Sequence, residues 1–264
     1  MSIRIHFGLP GRKISARLTL VAVLSTLILV GCSRNNSSEG GSSPRVNSAC
    51  IKPDANARNN ILTAIFEANA GDTVLLCEGK FDMPTGLLIN SKPGLTLKGA
   101  GMKKTFLNFA NSDSAEGINA SYSDGLILQD FTVEDTPGNG IRIFRSEKIV
   151  LRGVSARWHD AAGRDETDPD YTPRSDVGAY ALYPVEVRKI LMENCEAHGA
   201  SDAGIYVGQS SDVLVRNCLA TYNVAAYEFG NTYRAVFENN VATKNTGGFL
   251  IFDLPDLRQY GEKN

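Results

Sequence analysis

The stretch that decides the fold, Ser211-Asp212-Val213-Leu214-Val215-Arg216-Asn217-Cys218-Leu219-Ala220-Thr221, aligns without a gap on Tyr233-Arg234-Ala235-Val236-Phe237-Glu238-Asn239-Asn240-Val241-Ala242-Thr243. Steps of 23, 38, 26, 22 and 22 residues carry this repeat through six short apolar stretches. These stretches open at Gly117, Gly140, Gly178, Gly204, Ala226 and Gly248. Repetition at about this period is typical of solenoids, in which each repeat buries its apolar face only by stacking on its neighbours.

Each repeat contains two or three short stretches that alternate between apolar and polar residues. Gly204-Ile205-Tyr206-Val207 is one of them, and Asp212-Val213-Leu214-Val215-Arg216 is the next. Alternation with a period of two over such short runs predicts strands rather than helices. Three strands joined by sharp bends form one coil, and successive coils stack about 4.8 Å apart. The sequence therefore predicts an all-β fold, a right-handed single-stranded parallel β-helix.

One column of residues supports this register independently. Asn194, Asn217 and Asn239 each follow the middle strand of a coil, and Gly153 takes that place earlier in the chain. Asn and Gly tolerate a left-handed backbone better than other residues do. We therefore predict a left-handed bend at this column, where stacked Asn amides can also hydrogen-bond to one another.

These features resemble the pectate-lyase-like right-handed β-helix repeat family, in its bacterial lipoprotein branch. The resemblance runs from about Ile61 to the C-terminus and includes the opening segment Ala64–Phe81. It implies a short N-terminal capping helix, a turn at Gly71-Asp72 and then a first strand, because a helix can cover the open end of the solenoid. The family contains lyases, hydrolases, epimerases and binding proteins, so the fold alone does not select a function.

The N-terminus is typical of a lipoprotein signal covering residues 1–31. It begins with basic residues and continues with the apolar run Leu18–Val30, which is too short to predict a membrane span. The run ends in Leu29-Val30-Gly31-Cys32, which resembles the bacterial lipobox and predicts a lipid on Cys32. A plain secretory signal is the alternative. Ser33 follows the cysteine, and the absence of Asp there favours the outer membrane of a bacterial cell envelope.

The rest of the chain divides into a tether and one domain. Residues 32–48 are rich in Ser, Gly and Asn and predict a flexible tether. Residues 49–264 form the predicted β-helix domain. After Gly248 opens another coil, the chain stops where the next middle strand is expected, so we predict that the solenoid is C-terminally incomplete. The net charge is −2 without a basic stripe, which argues against nucleic acid as a partner.

Five cysteines in an exported chain suggest one lipid site and up to two disulfides. Cys50 and Cys77 are the predicted pair that ties the N-terminal arm to the first strand. Cys195 and Cys218 occupy one column a coil apart, about 4.8 Å between Cα atoms, which suits a disulfide. Buried free thiols are the equal alternative for these two, because free Cys packs like a small apolar residue.

Alternation along the first strand of each coil predicts which side chains face solvent. Ile141, Ala179, Ile205, Tyr227 and Phe249 should point inward. The neighbouring positions should form an outward row of side chains: Asn119, Arg142, Tyr180, Tyr206, Glu228 and Leu250. A straight row on a flat sheet suits an extended polymer, since tyrosine rings stack on sugars and Arg binds a carboxylate with two hydrogen bonds. The substrate groove of the resembled family lies on this kind of face.

The 38-residue step adds a long loop from His159 to about Val177, which we expect to overhang the outward row. Two reactions fit these residues. Lyase or epimerase chemistry on a uronate polymer needs Arg142 to neutralise the carboxylate and His159, Tyr180 or Tyr206 to exchange the proton. Glycoside hydrolysis needs paired carboxylates from Asp160, Asp165, Glu166 and Glu228. The catalytic candidates are therefore Arg142, His159, Asp160 and Tyr180. The Asp-Pro-His-Asp string expected of alginate epimerases is missing, since Asp168-Pro169-Asp170 has no histidine.

Four acidic loop residues are weaker candidates for a calcium site: Asp165, Glu166, Asp168 and Asp170. Calcium prefers several oxygen ligands, although the spacing does not follow the EF-hand pattern and a solvated acidic loop is the plainer interpretation. The leading functional hypothesis is an envelope lipoprotein whose β-helix face binds an extended acidic polysaccharide, with lyase or epimerase chemistry on that polymer as a candidate activity. The alternative is a non-catalytic scaffold that binds another envelope protein.

Overall fold

The computed structural model describes residue 45 and residues 49–257. The predicted signal at residues 1–31, the predicted lipidation at Cys32 and the tether apart from Arg45 lie outside these residues. In this described part of the chain, one helix is followed by 17 strands, all paired in parallel with the strand one coil away. Their bounds are α1 Ala57–Glu67, β1 Thr73–Leu75, β2 Gly79–Asp82, β3 Leu87–Asn90, β4 Thr96–Lys98, β5 Thr105–Asn108, β6 Ile118–Ser121, β7 Ile127–Glu134, β8 Ile141–Arg157, β9 Leu182–Glu193, β10 Glu196–His198, β11 Ala203–Gly208, β12 Ser211–Arg216, β13 Leu219–Thr221, β14 Ala225–Gly230, β15 Tyr233–Glu238, β16 Val241–Thr243 and β17 Gly247–Phe252. The predicted parallel β-helix is confirmed.

The strands form three faces, which we call the first, second and third sheets. The first sheet contains β3, β6, β11, β14, β17 and the starts of β8 and β9. The second contains β1, β4, β12, β15, the start of β7, the middle of β8 and the end of β9. The third contains β2, β5, β10, β13, β16 and the ends of β7 and β8. Apolar side chains from all three sheets meet in one continuous core.

Sharp bends between the second and third sheets fall at the predicted column. Asn194, Asn217 and Asn239 have φ values of 54°, 54° and 55°, and Gly153 has 57°. Asp130, with φ 61°, takes the same place one coil earlier. The left-handed prediction is correct. Within the described residues, however, no hydrogen bond joins the three Asn amides of this column, and the amide pair that does bond across coils is Asn223 with Asn245, at 2.9 Å.

The N-terminal end of the core is covered as the family resemblance implied. Helix α1 buries Ala57, Ile61 and Ile65 completely or nearly so. A turn at Gly71 (φ 86°) and Asp72 then leads into β1. Cys50 and Cys77 form a disulfide with Cα atoms 5.0 Å apart, whereas Cys195 and Cys218 are buried free thiols. None of the described helices is both long and apolar enough to cross a membrane.

The last described coil leaves apolar side chains in solvent. Tyr227 in β14 is fully buried and its hydroxyl donates towards the carbonyl oxygens of Cys218 and Val241. Phe249, one coil later in the same column, is 41% exposed, and Ile251 is 59% exposed. The stacking of coils on both sides therefore decides burial in this fold. Continuation of the solenoid in a longer product stays a prediction.

Candidate functional site

The outward row of the first sheet is a straight line of side chains in strict register. Pairing of parallel strands places one residue from each coil beside the next, about 4.8 Å apart. The row comprises Asn119, Arg142, Tyr183, Tyr206, Glu228 and Leu250. Five of the six predicted members hold their places, and Tyr183 stands where the sequence pattern suggested Tyr180.

The difference at Tyr180 comes from the length of the inserted loop. The coil after the loop opens at Ala181, where the N–H of Ile141 bonds the Ala181 carbonyl, and the inward position is Leu182 rather than Ala179. Gly178 serves another purpose, because a Cβ there would lie 2.2 Å from the Trp158 ring. The step from Ile141 to Leu182 is 41 residues long, whereas the regular step from Ile118 to Ile141 is 23 residues long. All 18 extra residues therefore lie between these two coils. Gly178 resembled a coil opening only by composition.

Tyr180 nevertheless joins the row as part of an aromatic cluster. Its ring stacks on Tyr183 with centroids 4.4 Å apart and planes 10° apart. Tyr206 lies 5.1 Å from both rings. Gly208 and Gly230 give Tyr206 its place, because a Cβ at these positions would approach its ring or hydroxyl to 2.5 and 3.0 Å. Three tyrosines on one sheet thus form a fixed aromatic surface of the kind on which sugar rings stack.

A cation lies at one side of this cluster. Arg142 is half-buried, and its guanidinium lies 5.0 Å from the centroid of the Phe144 ring. Neighbouring arginines behave differently, since Arg145 pairs with Glu186 and Arg152 with Glu193. Among the residues that the structure describes, Arg142 forms no salt bridge. Its planar guanidinium is therefore available to hold a ligand carboxylate.

Carboxylates lie at the other side of the cluster. Burial and the nearby Asp202 charge raise the pKa of Glu228, and burial together with Asp202 raises the pKa of Tyr180. Burial also raises the pKa values of Tyr183 and Tyr206. All three tyrosines are therefore protonated at neutral pH, where they can donate a hydrogen bond but are poor proton acceptors.

Two predicted catalytic residues lie away from the row. The His159 ring nitrogen Nδ1 lies 2.7 Å from the Asp135 carboxylate, which also accepts the His159 N–H. Asp160 is buried and accepts hydrogen bonds from the N–H groups of Ala162, Arg164 and Thr172 and from the Arg164 guanidinium. Led by the Arg164 N–H, these bonds hold the pKa of Asp160 at about 2. Both side chains fix the loop base, so the structure does not bring them together with Arg142 and Tyr180.

The acidic part of the loop lies over the third sheet, not over the outward row as expected. Arg157, at the end of β8, contacts Asp165 at 3.3 Å and Glu166 at 3.6 Å. The same guanidinium bonds the buried Glu134 at 2.6 Å. The loop starts directly after this arginine, which explains why its carboxylates turn back towards the third sheet. Tyr180, near the end of the insertion, reaches the row.

Between the loop and the third sheet lies a groove of about 520 Å³. His198 forms one wall, with Nδ1 2.7 Å from the Thr221 hydroxyl and Nε2 3.2 Å from Glu196. Charges of both signs line the groove. His198 is not among the predicted site residues, because nothing along the chain shows that it approaches Glu166 in the loop.

The four predicted calcium ligands do not converge. Asp165 accepts from Thr167 and Arg157, and Glu166 contacts Arg157. Asp168 accepts from the N–H of Asp170, whose own carboxylate is largely exposed. In the part of the chain that the structure describes, no three His, Cys, Asp or Glu residues are grouped so that they could hold a metal ion. Asp165, Glu166 and Asp168 are instead engaged by N–H groups or by the Arg157 guanidinium.

The sequence pattern missed Tyr183 and Asp202 as members of the site. Tyr183 could have been found by aligning Tyr183-Pro184-Val185 with Arg142-Ile143-Phe144, because both triplets alternate outward and inward. Asp202 lies in the bend before β11, outside any alternating stretch. It joins the site because the bend brings it beside Tyr180 and Glu228.

The right-handed beta helix region is the family whose model matches the chain, over residues 85–257. The chain belongs to this family. Two similar solved structures are the A-modules of the mannuronan C-5 epimerases AlgE4 and AlgE6 from Azotobacter vinelandii. The AlgE4 module is 19% identical to this chain with a TM-score of 0.60, and the match covers 80% of this chain and 60% of the module. The second has 16% identity and a TM-score of 0.56, and covers 78% and 61%.

This chain spans about 60% of the length of each of these two modules. At such identities the likeness shows the shared fold alone. No curated protein matches the chain in sequence.

Proposed function

We propose that this β-helix protein binds an extended acidic polysaccharide along its outward row. The observation that carries the proposal is the cluster of Tyr180, Tyr183 and Tyr206 beside Arg142, a cation without a salt bridge in the described structure. The tyrosine rings stack on the faces of sugars, and the guanidinium donates two hydrogen bonds to a carboxylate of the polymer. The mannuronan epimerases that share the fold act, by their names, on a polysaccharide, which supports this class of ligand.

The proposed activity is polysaccharide binding, and catalysis is a secondary part of the proposal. Lyase or epimerase chemistry needs a base near neutral pH, yet the three tyrosines have raised pKa values. His159 and Asp160 serve the loop base instead. Glu228 remains in the row with its pKa raised by burial and by Asp202, so it is the group best suited to exchange a proton there.

The proposal includes the cellular setting that the sequence predicts. A lipid on Cys32 would anchor the protein in a bacterial envelope, with the outer membrane as the expected destination. Metabolic labelling with a clickable palmitate analogue tests this part. We expect label on the wild type and none on Cys32→Ser, and an unlabelled wild type would contradict it.

The binding proposal is tested by titrating the full chain with a panel of acidic and neutral polysaccharides. We expect binding to acidic members, and Tyr206→Ala should weaken it about fivefold, since an aromatic stacking contact is worth about 0.5–1.5 kcal/mol. Tyr233→Ala is the matched control, because this tyrosine is 50% exposed on the second sheet. Product analysis for unsaturated or epimerised sugars then tests catalysis.

Absence of binding to every glycan by the folded protein would overturn the proposal. It would favour the rival function, a non-catalytic scaffold for another envelope protein, which cross-linking would then have to recover.

A further inference from the structure

The outward row carries opposite charges on the two sides of the tyrosine cluster, and this asymmetry constrains the polymer. We propose that the ligand alternates carboxylated with non-carboxylated sugars, the former held at Arg142 and the latter at Glu228, and that it is not a homopolymer of uronates. This inference rests on the proposed polysaccharide binding and names the substrate class more narrowly.

The strand register fixes the distance between the two charged side chains, Arg142 and Glu228. Arg142 pairs with Tyr183 on the next coil, Tyr183 lies beside Tyr206 one coil further on, and Tyr206 pairs with Glu228. Three steps of the ladder place the two charges about 14 Å apart. An extended polymer lying on the tyrosines therefore meets both charges at once, on different sugar residues.

The Arg142 end selects a carboxylate. Its guanidinium is half-buried over Phe144 and has no ion-pair partner among the described residues. Removing such a cation from water under a ligand costs free energy unless the ligand supplies a negative charge. A uronate at this position supplies the charge, whereas a neutral sugar leaves the guanidinium uncompensated.

The Glu228 end rejects a carboxylate. Glu228 is half-buried, Asp202 lies nearby, and neither forms a salt bridge in the described part of the chain. A third carboxylate brought here by a polymer would repel both, more strongly in a partly dry interface than in water. Hydroxyl or amide donors of a non-carboxylated sugar would instead give hydrogen bonds to the two acceptors.

The test compares unsulfated chondroitin, which alternates a uronate with an N-acetylated hexosamine, with polygalacturonate, polymannuronate and dextran. Dissociation constants are measured on the full chain at low ionic strength, because salt screens exposed charges. We expect chondroitin to bind about tenfold more tightly than either polyuronate. Glu228→Gln should then improve polygalacturonate binding several-fold, so that the preference for chondroitin over polygalacturonate narrows.

Two further variants complete the design. Arg142→Gln should weaken chondroitin towards the level of dextran. Glu238→Gln, in the same coil but on the second sheet, is the matched control and should change nothing. Thermal unfolding checks that every variant is folded.

The outcomes separate the two proposals. If a polyuronate binds as tightly as chondroitin and Glu228→Gln has no effect, the alternating polymer is wrong while polysaccharide binding stands. If no polysaccharide binds the folded wild type, the proposed function fails and the inference fails with it.

Discussion

At the scale of single residues, glycines make room for aromatic rings at three places that matter for the site. Gly208 and Gly230 lie under Tyr206, and Gly178 lies against Trp158. The first two shape the aromatic cluster, and the third lets the end of the loop pack against the Trp158 ring. The absence of a side chain at these glycines is therefore what allows the neighbouring aromatic rings to take their positions.

The packing of Trp158 leads to a prediction at Gly178. Gly178→Ala would place a methyl group 2.2 Å from the Trp158 ring at a φ of +70°. We expect a loss of at least about 2 kcal/mol in the free energy of unfolding, from backbone strain and overpacking together. Gly163→Ala is the control, because its φ is +78° with nothing within 4 Å, so it should cost only about 1 kcal/mol. Urea unfolding followed by fluorescence of Trp158 measures both, and equal losses would contradict the packing role.

The His159–Asp135 pair predicts a pH dependence. The hydrogen bond to Asp135 raises the pKa of His159 above 6.5, and although burial opposes it, bonding to His159 lowers the pKa of Asp135 below 3.8. A raised His pKa contributes stability that is present below about pH 6.5 and lost as pH rises through the folded value. A lowered Asp pKa contributes stability that is lost as pH falls below about 3.8.

The pair should therefore stabilise the fold most near pH 5. We expect His159→Gln to destabilise the protein more at pH 5 than at pH 8, measured by urea unfolding at both values. Asp135→Asn should show the same profile. A loss that is equal at both pH values would contradict the account.

At the scale of elements, the inserted loop shows how one arginine directs a segment of chain. Arg157 holds the buried Glu134 and draws Asp165 and Glu166 over the third sheet. The loop therefore encloses the groove on that sheet and leaves the outward row open along most of its length. An open row suits a polymer that extends past both ends of the site, whereas an enclosed groove suits a short ligand.

This arrangement predicts unequal costs for two arginine substitutions. Arg157→Met leaves Glu134, whose side chain is 3% exposed, without its main partner and should cost about 3 kcal/mol. Arg152→Met breaks the pair with Glu193, in which the arginine side chain is 43% exposed, and should cost less than about 1 kcal/mol. Chemical denaturation of both variants provides the measurement. Similar costs would show that Arg157 does not organise the third sheet and its loop.

At the scale of the whole molecule, the repeat made most of the fold predictable. The gapless alignment of β12 with β15 gave their register correctly, and the column of Asn194, Asn217 and Asn239 gave the left-handed bends. Regular coils repeat the same contacts, so the alternation of apolar and polar residues within one coil also predicts how that coil stacks on the next. The strands of the first sheet also follow directly from alternation, which is why Arg142, Tyr206 and Glu228 were placed correctly.

The site was harder to predict where the repeat is interrupted. An insertion breaks the register, so the sequence pattern predicts the coil opening at Gly178 and Ala179, whereas it lies at Ala181 and Leu182. The path of the loop depends on long-range ion pairs of Arg157, which have no signature along the chain. Asp202 could not be predicted for the same reason, because it approaches Tyr180 through a long-range contact that forms only when the coils stack.

The central claim is that the outward row is the polysaccharide-binding surface, and hydroxyl-radical footprinting of the full chain tests it most directly. Modification of individual tyrosines is compared with and without a bound acidic polysaccharide. The account predicts protection of Tyr180, Tyr183 and Tyr206, and unchanged modification of Tyr122 and Tyr233, which are 53% and 50% exposed elsewhere. Protection of Tyr222 beside the loop groove, with the three row tyrosines unchanged, would contradict it.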